Sequence, residues 1–158
     1  MSVAAPKISE EGSTTPDIIQ EEDFVSLIFS ETSKGGEYEI SGPTVVDSEA
    51  KVKKASFEST DGSTLDLTFE QGTFKKTEIS GSDEADTVVF KKGTVVKGKT
   101  TLNLGDGANV IKIKGDLKGK IVVEDFNEDS FIKYDGKKYG IDDIAEAKEE
   151  GIIIKIED

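Results

Sequence analysis

The 158-residue sequence contains no cysteine, no histidine and no tryptophan. It also lacks arginine, so its 20 basic residues are all lysine. Each absence removes a class of chemistry. Without Cys there is no thiol nucleophile, disulfide, iron–sulfur cluster or thiolate zinc site. Without His, no side chain titrates near neutrality at its ordinary pKa. Without Arg there is no bidentate clamp for phosphate or carboxylate. Asp, Glu, Lys, Ser and Tyr alone support some catalysts, glycosidases among them, but no motif here assembles them. The expectation is a non-enzymatic protein.

Acidic residues number 33, giving a net charge of -13. That charge repels phosphate backbones, and no basic stripe is expected to offset the acidic residues, so no nucleic-acid partner is expected. It favours solubility and leaves room for hard cations held by oxygen ligands. No apolar run approaches the ~20 residues of a membrane-spanning helix, so no membrane partner is expected. Met1 to Glu11 shows neither the basic region nor the apolar stretch of a classical signal peptide. What apolar content there is consists mainly of Val, Ile and Phe, residues that suit pleated surfaces.

Residues 1–37 read as an N-terminal tail and attachment segment. Residues 1–20 show no sustained period and suit a disordered leader or an arm that orders on a partner. Phe24, Val25, Leu27, Ile28 and Phe29 form the densest early apolar cluster. Phe24, Leu27 and Ile28 fit one helical face behind the acidic Glu21, Glu22 and Asp23, and a buried strand fits nearly as well. The cluster either covers the core of the following sheet or anchors a partner.

Residues 38–130 read as a repetitive β-body, in which short β-rich runs alternate with Gly, Asp and Lys turns. Aligning Gly72, Gly93 and Gly115 superposes β-runs on either side, with a period of roughly 22 residues. Each unit would form one coil with three short faces. A single coil cannot bury its own Val, Ile, Leu and Phe, but stacked coils bury them and pair in parallel ladders. The expected fold is all-β, a short parallel β-solenoid; the alternative is an Ig-like β-sandwich. Lys91, Lys92, Lys97 and Lys99 form a local basic patch that is either a solvated face or a contact to an acidic partner. Tyr38, Tyr134 and Tyr139 read as edge and hairpin packing rather than as sugar-stacking platforms.

Residues 131–158 read as a cap. Phe131 to Gly140 suits a β-hairpin turning at Asp135-Gly136. Ile141 to Glu150 suits a short helix, with Ile141, Ile144, Ala145 and Lys148 on one face and Gly151 at its stop. Ile152 to Ile156 supplies a final strand, which closes the stack or pairs with a neighbouring copy in a homo-oligomer.

Acidic or Gly-rich corners precede the units: Gly81-Ser82-Asp83-Glu84-Ala85-Asp86 and Leu104-Gly105-Asp106-Gly107-Ala108-Asn109. They resemble worn copies of the calcium-binding nonapeptide of RTX β-rolls, G-G-x-G-x-D-x-U-x. Gly81, Asp86 and Val88 match in the first window, and Gly105, Gly107 and Ile111 in the second. This resemblance implies calcium as the one candidate cofactor, with Asp83, Asp86, Asp106 and Asn109 as its ligands, in a secreted, extracellular protein. The competing reading is that Gly, Asp and Asn merely turn the chain.

A second resemblance covers about half the chain. It runs from Gly81 to Ile156 and is carried by Gly81-Ser82-Asp83, Lys99 to Ala108, Gly119 to Phe126 and Tyr134 to Gly140. These stretches resemble repeat-containing proteins of marine cyanobacteria and virion proteins of their phages. The resemblance implies a virion location, as a knob-like capsid decoration or horn protein. Its partners would be capsid or other virion proteins and, on the outward side, the host surface. The family supplies no catalytic residues to carry over.

Overall fold

The computed structural model describes residues 8–9, 17–20, 24–29, 32–34, 36–40, 42–59, 64–82, 84–105 and 107–156. The fold is all-β with one short helix near the C-terminus, a parallel β-solenoid of about four turns. The chain opens with two short strands, β1 (Ile8–Ser9) and β2 (Asp17–Gln20). Coiling begins with β3 (Val25–Phe29), β4 (Ser33–Lys34) and β5 (Glu37–Ile40). It continues with β6 (Thr44–Lys53) and β7 (Ser56–Ser59), then β8 (Asp66–Lys75) and β9 (Glu78–Ser80). Next come β10 (Thr87–Lys97) and β11 (Lys99–Asn103), then β12 (Val110–Ile113), β13 (Asp116–Leu117) and β14 (Lys120–Phe126). The cap holds β15 (Phe131–Tyr134), β16 (Lys137–Tyr139), a 3-10 turn at Ile141–Asp143, α1 (Ile144–Glu149) and β17 (Ile152–Ile156).

Two sheets run the length of the stack. One has seven strands in the order β1-β5-β7-β9-β11-β14-β17; the other has ten, in the order β16-β15-β12-β10-β8-β6-β3-β2 with β4 also on β6 and β13 also on β10. Pairing between coils is parallel throughout, from β3 on β6 to β12 on β15 and from β5 on β7 to β14 on β17. That pattern excludes the Ig-like sandwich, whose sheets are built of antiparallel neighbours.

Inward residues stack in columns because parallel register places equivalent side chains directly above one another. One column runs Leu27, Val46, Phe69, Phe90 and Ile113. In it Phe69 and Phe90 stack face to face, 4.7 Å apart with ring planes 5° from parallel. A second column, in the other sheet, runs Tyr38, Phe57, Ile79, Leu102, Val123 and Ile154. The two columns meet inside the coil, where Phe57 packs edge-on against Phe69 at 5.4 Å. No single coil has enough apolar area to exclude water, so these vertical contacts are what make the stack cohere.

The long strands carry a bulge. Phe90 pairs with Phe69 and Gly93 with Gln71, so Lys91 and Lys92 oppose the single residue Glu70. The extra residue marks a corner with an exposed triplet, Lys91 to Gly93. It also corrects the glycine alignment, since Gly72 lies opposite Thr94, one residue beyond Gly93. Gly115 packs against Thr94 and the Lys91 carbonyl with no room for a Cβ.

Two boundaries move. The stack starts at Val25 rather than Tyr38, because Val25–Phe29 alternates buried and half-exposed residues and finds a parallel partner in β6. The described parts of the N-terminal stretch are edge strands: β1 pairs antiparallel with β5 and β2 with β3. At the other end, Asp135-Gly136 turns the expected hairpin with positive φ at both residues. The helix buries Ala147 while Ala145 is exposed, so the expected apolar face is rotated. Among the described residues, no helix is long and apolar enough to cross a membrane.

Candidate functional site

The Asp and Asn residues of the corners form a ladder along the stack. Asp86 is fully buried. Its Oδ1 accepts the backbone N–H of Leu65 at 2.8 Å and the hydroxyl of Ser82 at 2.9 Å. Its Oδ2 accepts the N–H of Ser82 at 2.8 Å. The N–H of Asp86 donates in turn to Asn109 Oδ1 at 2.9 Å, and the N–H of Asn109 to Ser130 Oγ at 3.0 Å. The separations along the chain are 21, 23 and 21 residues, one coil each time. At each level a side-chain oxygen satisfies the N–H of the residue just before the strand in the preceding coil, a group that would otherwise be buried without a partner.

This geometry bears on the candidate calcium ligands. Asp83 and Asp106 lie outside the described residues. Asp86 and Asn109 are buried and engaged with backbone groups, which is how turn-forming residues behave. Among the described residues, no three His, Cys, Asp or Glu side chains converge as metal ligands do.

The five candidate attachment residues do not form one outer patch. Val25, Leu27 and Phe29 are fully buried in the shared core. Phe24 is 37% exposed, and Ile28 lies between the two classes. The large hydrophobics exposed among the described residues are Ile18 at 38%, Ile19 at 44% and Phe24. All three belong to β2 or the residue leading into β3, at the N-terminal edge of the ten-stranded sheet. Ile18 and Ile19 escaped the sequence reading because two adjacent Ile in an unpatterned stretch give no period.

The tyrosines behave as packing residues. Tyr38 and Tyr139 are 2% exposed, and Tyr38 stacks on Phe57 at 5.2 Å. Tyr134 is part-buried, and its phenol is pushed up by desolvation and then by the negative charges of Glu150, Asp135 and Asp116. Burial likewise raises the carboxyl of Asp66. On the outer face of the seven-stranded sheet, a depression of about 310 Å³ is lined by Glu37, Glu39, Glu58 and Glu78. Within the sequence-predicted basic patch, Lys91 pairs with Glu70 at 3.1 Å across the bulge. Lys97 and Lys99 belong to a different corner, between the two sheets.

No protein-family model matches the chain, and no curated protein or solved structure matches it.

Proposed function

We propose that the chain is a non-enzymatic structural protein of a phage particle, a capsid decoration or accessory protein attached through its N-terminal segment. The observation that carries this reading is the placement of Ile18, Ile19 and Phe24. They give one end of an acidic, lysine-bearing stack an apolar edge, and among the described residues β2 is the last strand of its sheet. Exposed strand edges and apolar clusters of this kind recruit partner chains. The body beyond that edge is a stack of coils with its polar corner groups bound internally, which suits a rigid projecting element.

Mass spectrometry of purified particles tests the location, with the chain expected among the virion proteins. Ile18→Ser/Ile19→Ser is then expected to remove co-sedimentation with particles while leaving the circular dichroism of the body unchanged. Recovery of the chain only in particle-free medium, or full co-sedimentation of the variant, would count against the reading. The secreted, calcium-binding alternative has its own test in titration calorimetry with calcium, since a ligand that binds only the folded state must raise its stability.

A further inference from the structure

Register brings together lysines that the sequence keeps about twenty residues apart. Lys34 pairs with Lys53, Lys53 with Lys75, and Lys75 with Lys97. Lys118 follows Leu117, the partner of Val96, and so extends the same column. Neighbouring strands lie ~4.8 Å apart, so the backbones of the five lysines span about 19 Å of one corner. The expectation of no basic stripe is thereby corrected: the stripe runs across the strands and is invisible along the chain. Just past the corner, Lys99 pairs with Lys120 in the adjoining sheet.

Two further observations mark this column as more than a solvated face. Among the described residues, none of these lysines has an ion-pair partner, although the chain carries an excess of carboxylates. The residue after the column lysine is also left-handed in successive coils: Lys54 at φ 53°, Lys76 at φ 55° and Gly98 at φ 64°. Glycine adopts that conformation without strain and lysine does not. Two coils therefore accept backbone strain and like-charge crowding to place a second cation beside the first.

We propose that this lysine corner binds a linear anionic polysaccharide, a chain bearing carboxylate or sulfate groups on successive sugars. Evenly spaced point charges on a stiff rod match a ligand whose own charges repeat along an extended axis. Each contact is weak, and affinity accumulates with the number of coils spanned. Nucleic acid fits less well. Duplex DNA carries one charge per ~1.7 Å, far denser than a column with one lysine per ~4.8 Å. The column side chains are all Lys, with no aromatic among them on which bases would stack. The inference uses residues other than Ile18, Ile19 and Phe24 and does not depend on the virion reading.

The test measures binding of the full chain to size-graded polyuronate oligomers, size-graded heparin oligomers, neutral dextran and oligo-dT. The expected result is binding to at least one anionic series, with affinity rising tenfold or more from dimer to octamer and no binding to dextran. The two anionic series tell carboxylate from sulfate. Lys75→Gln/Lys97→Gln is expected to weaken octamer binding at least tenfold at unchanged melting temperature. Lys54→Gly/Lys76→Gly, which relaxes the backbone, is expected to weaken it severalfold in a protein at least as stable. Lys112→Gln/Lys133→Gln, elsewhere on the ten-stranded sheet, is expected to leave it within twofold. Failure of both anionic series to bind, tighter binding to oligo-dT, or equal loss in the Lys112/Lys133 control would each overturn the proposal.

Discussion

Asp86 Oδ1 receives the backbone N–H of Leu65 from the preceding coil at 2.8 Å, inside a fully buried corner. The bond ties two coils through a group that no strand ladder serves. Asp86→Ala strands that N–H and removes both bonds to Ser82. Unfolding free energy is expected to fall by about 2–4 kcal/mol in urea denaturation. Asp86→Asn keeps an acceptor for Leu65, as Asn109 does one coil later for Asp86, and is expected to lose less than half as much.

The Phe69–Phe90 stack carries the middle of the core. Phe69 touches Phe57, Phe74 and Phe90 and has no exposed surface. Phe69→Ala is expected to lower stability by about 3–5 kcal/mol, the range for emptying an aromatic site in a packed core. A loss under about 1 kcal/mol in the same denaturation assay would mean that the columns do not share one interior.

Thr77 and Thr100 run against the general economy of polar groups in this fold. Both are fully buried, and neither Oγ1 has a hydrogen-bond partner among the described residues. Valine has nearly the same shape without the hydroxyl. Thr77→Val and Thr100→Val are each expected to raise stability by about 1 kcal/mol, read as a shift in denaturation midpoint at constant slope.

Burial raises the Asp66 carboxyl above its ordinary value of 3.8. A raised pKa in the folded state means that the folded protein holds this proton more tightly than the unfolded chain. The Asp66 contribution is therefore most favourable below the ordinary value and declines as pH rises through the raised one. Asp66→Asn cannot ionise. Its stability relative to the parent protein is expected to be higher at about pH 7 than at about pH 3, and chemical denaturation at the two pH values checks the sign.

Strain at the lysine corner gives a stability prediction separate from binding. Lys54→Gly and Lys76→Gly place glycine where the chain is left-handed, as it already is at Gly98. Each is expected to stabilise the protein by about 1 kcal/mol. Destabilisation by either change in thermal unfolding would contradict backbone strain at that corner.

The coiled body was legible because its β-runs and Gly corners recur, and recurrence survives drift in individual residues. The hairpin was legible because Asp135-Gly136 has one favoured use between strands. Val25–Phe29 was ambiguous, since Phe24, Leu27 and Ile28 suit a helix while Val25, Leu27 and Phe29 suit a strand. The parallel partner β6 resolves that choice, and a distant partner leaves no local trace. The Asp86–Asn109–Ser130 ladder and the lysine column were hidden for a related reason. Their members lie one coil apart, and the bulge at Lys91-Lys92 breaks any fixed spacing. Local proximity instead grouped Lys97 and Lys99 with Lys91 and Lys92, which occupy another corner.

In-register stacking of parallel coils underlies the core columns, the Asp–Asn ladder and the lysine corner alike. The absence of native cysteine allows a direct measurement. Thr68 and Val89 are half-exposed partners on neighbouring strands, so Thr68→Cys/Val89→Cys is expected to form one intrachain disulfide on mild oxidation. Thr68→Cys/Lys97→Cys, far out of register, is expected to stay reduced as a monomer. Failure of the first pair to close while the second closes would contradict the stacked register.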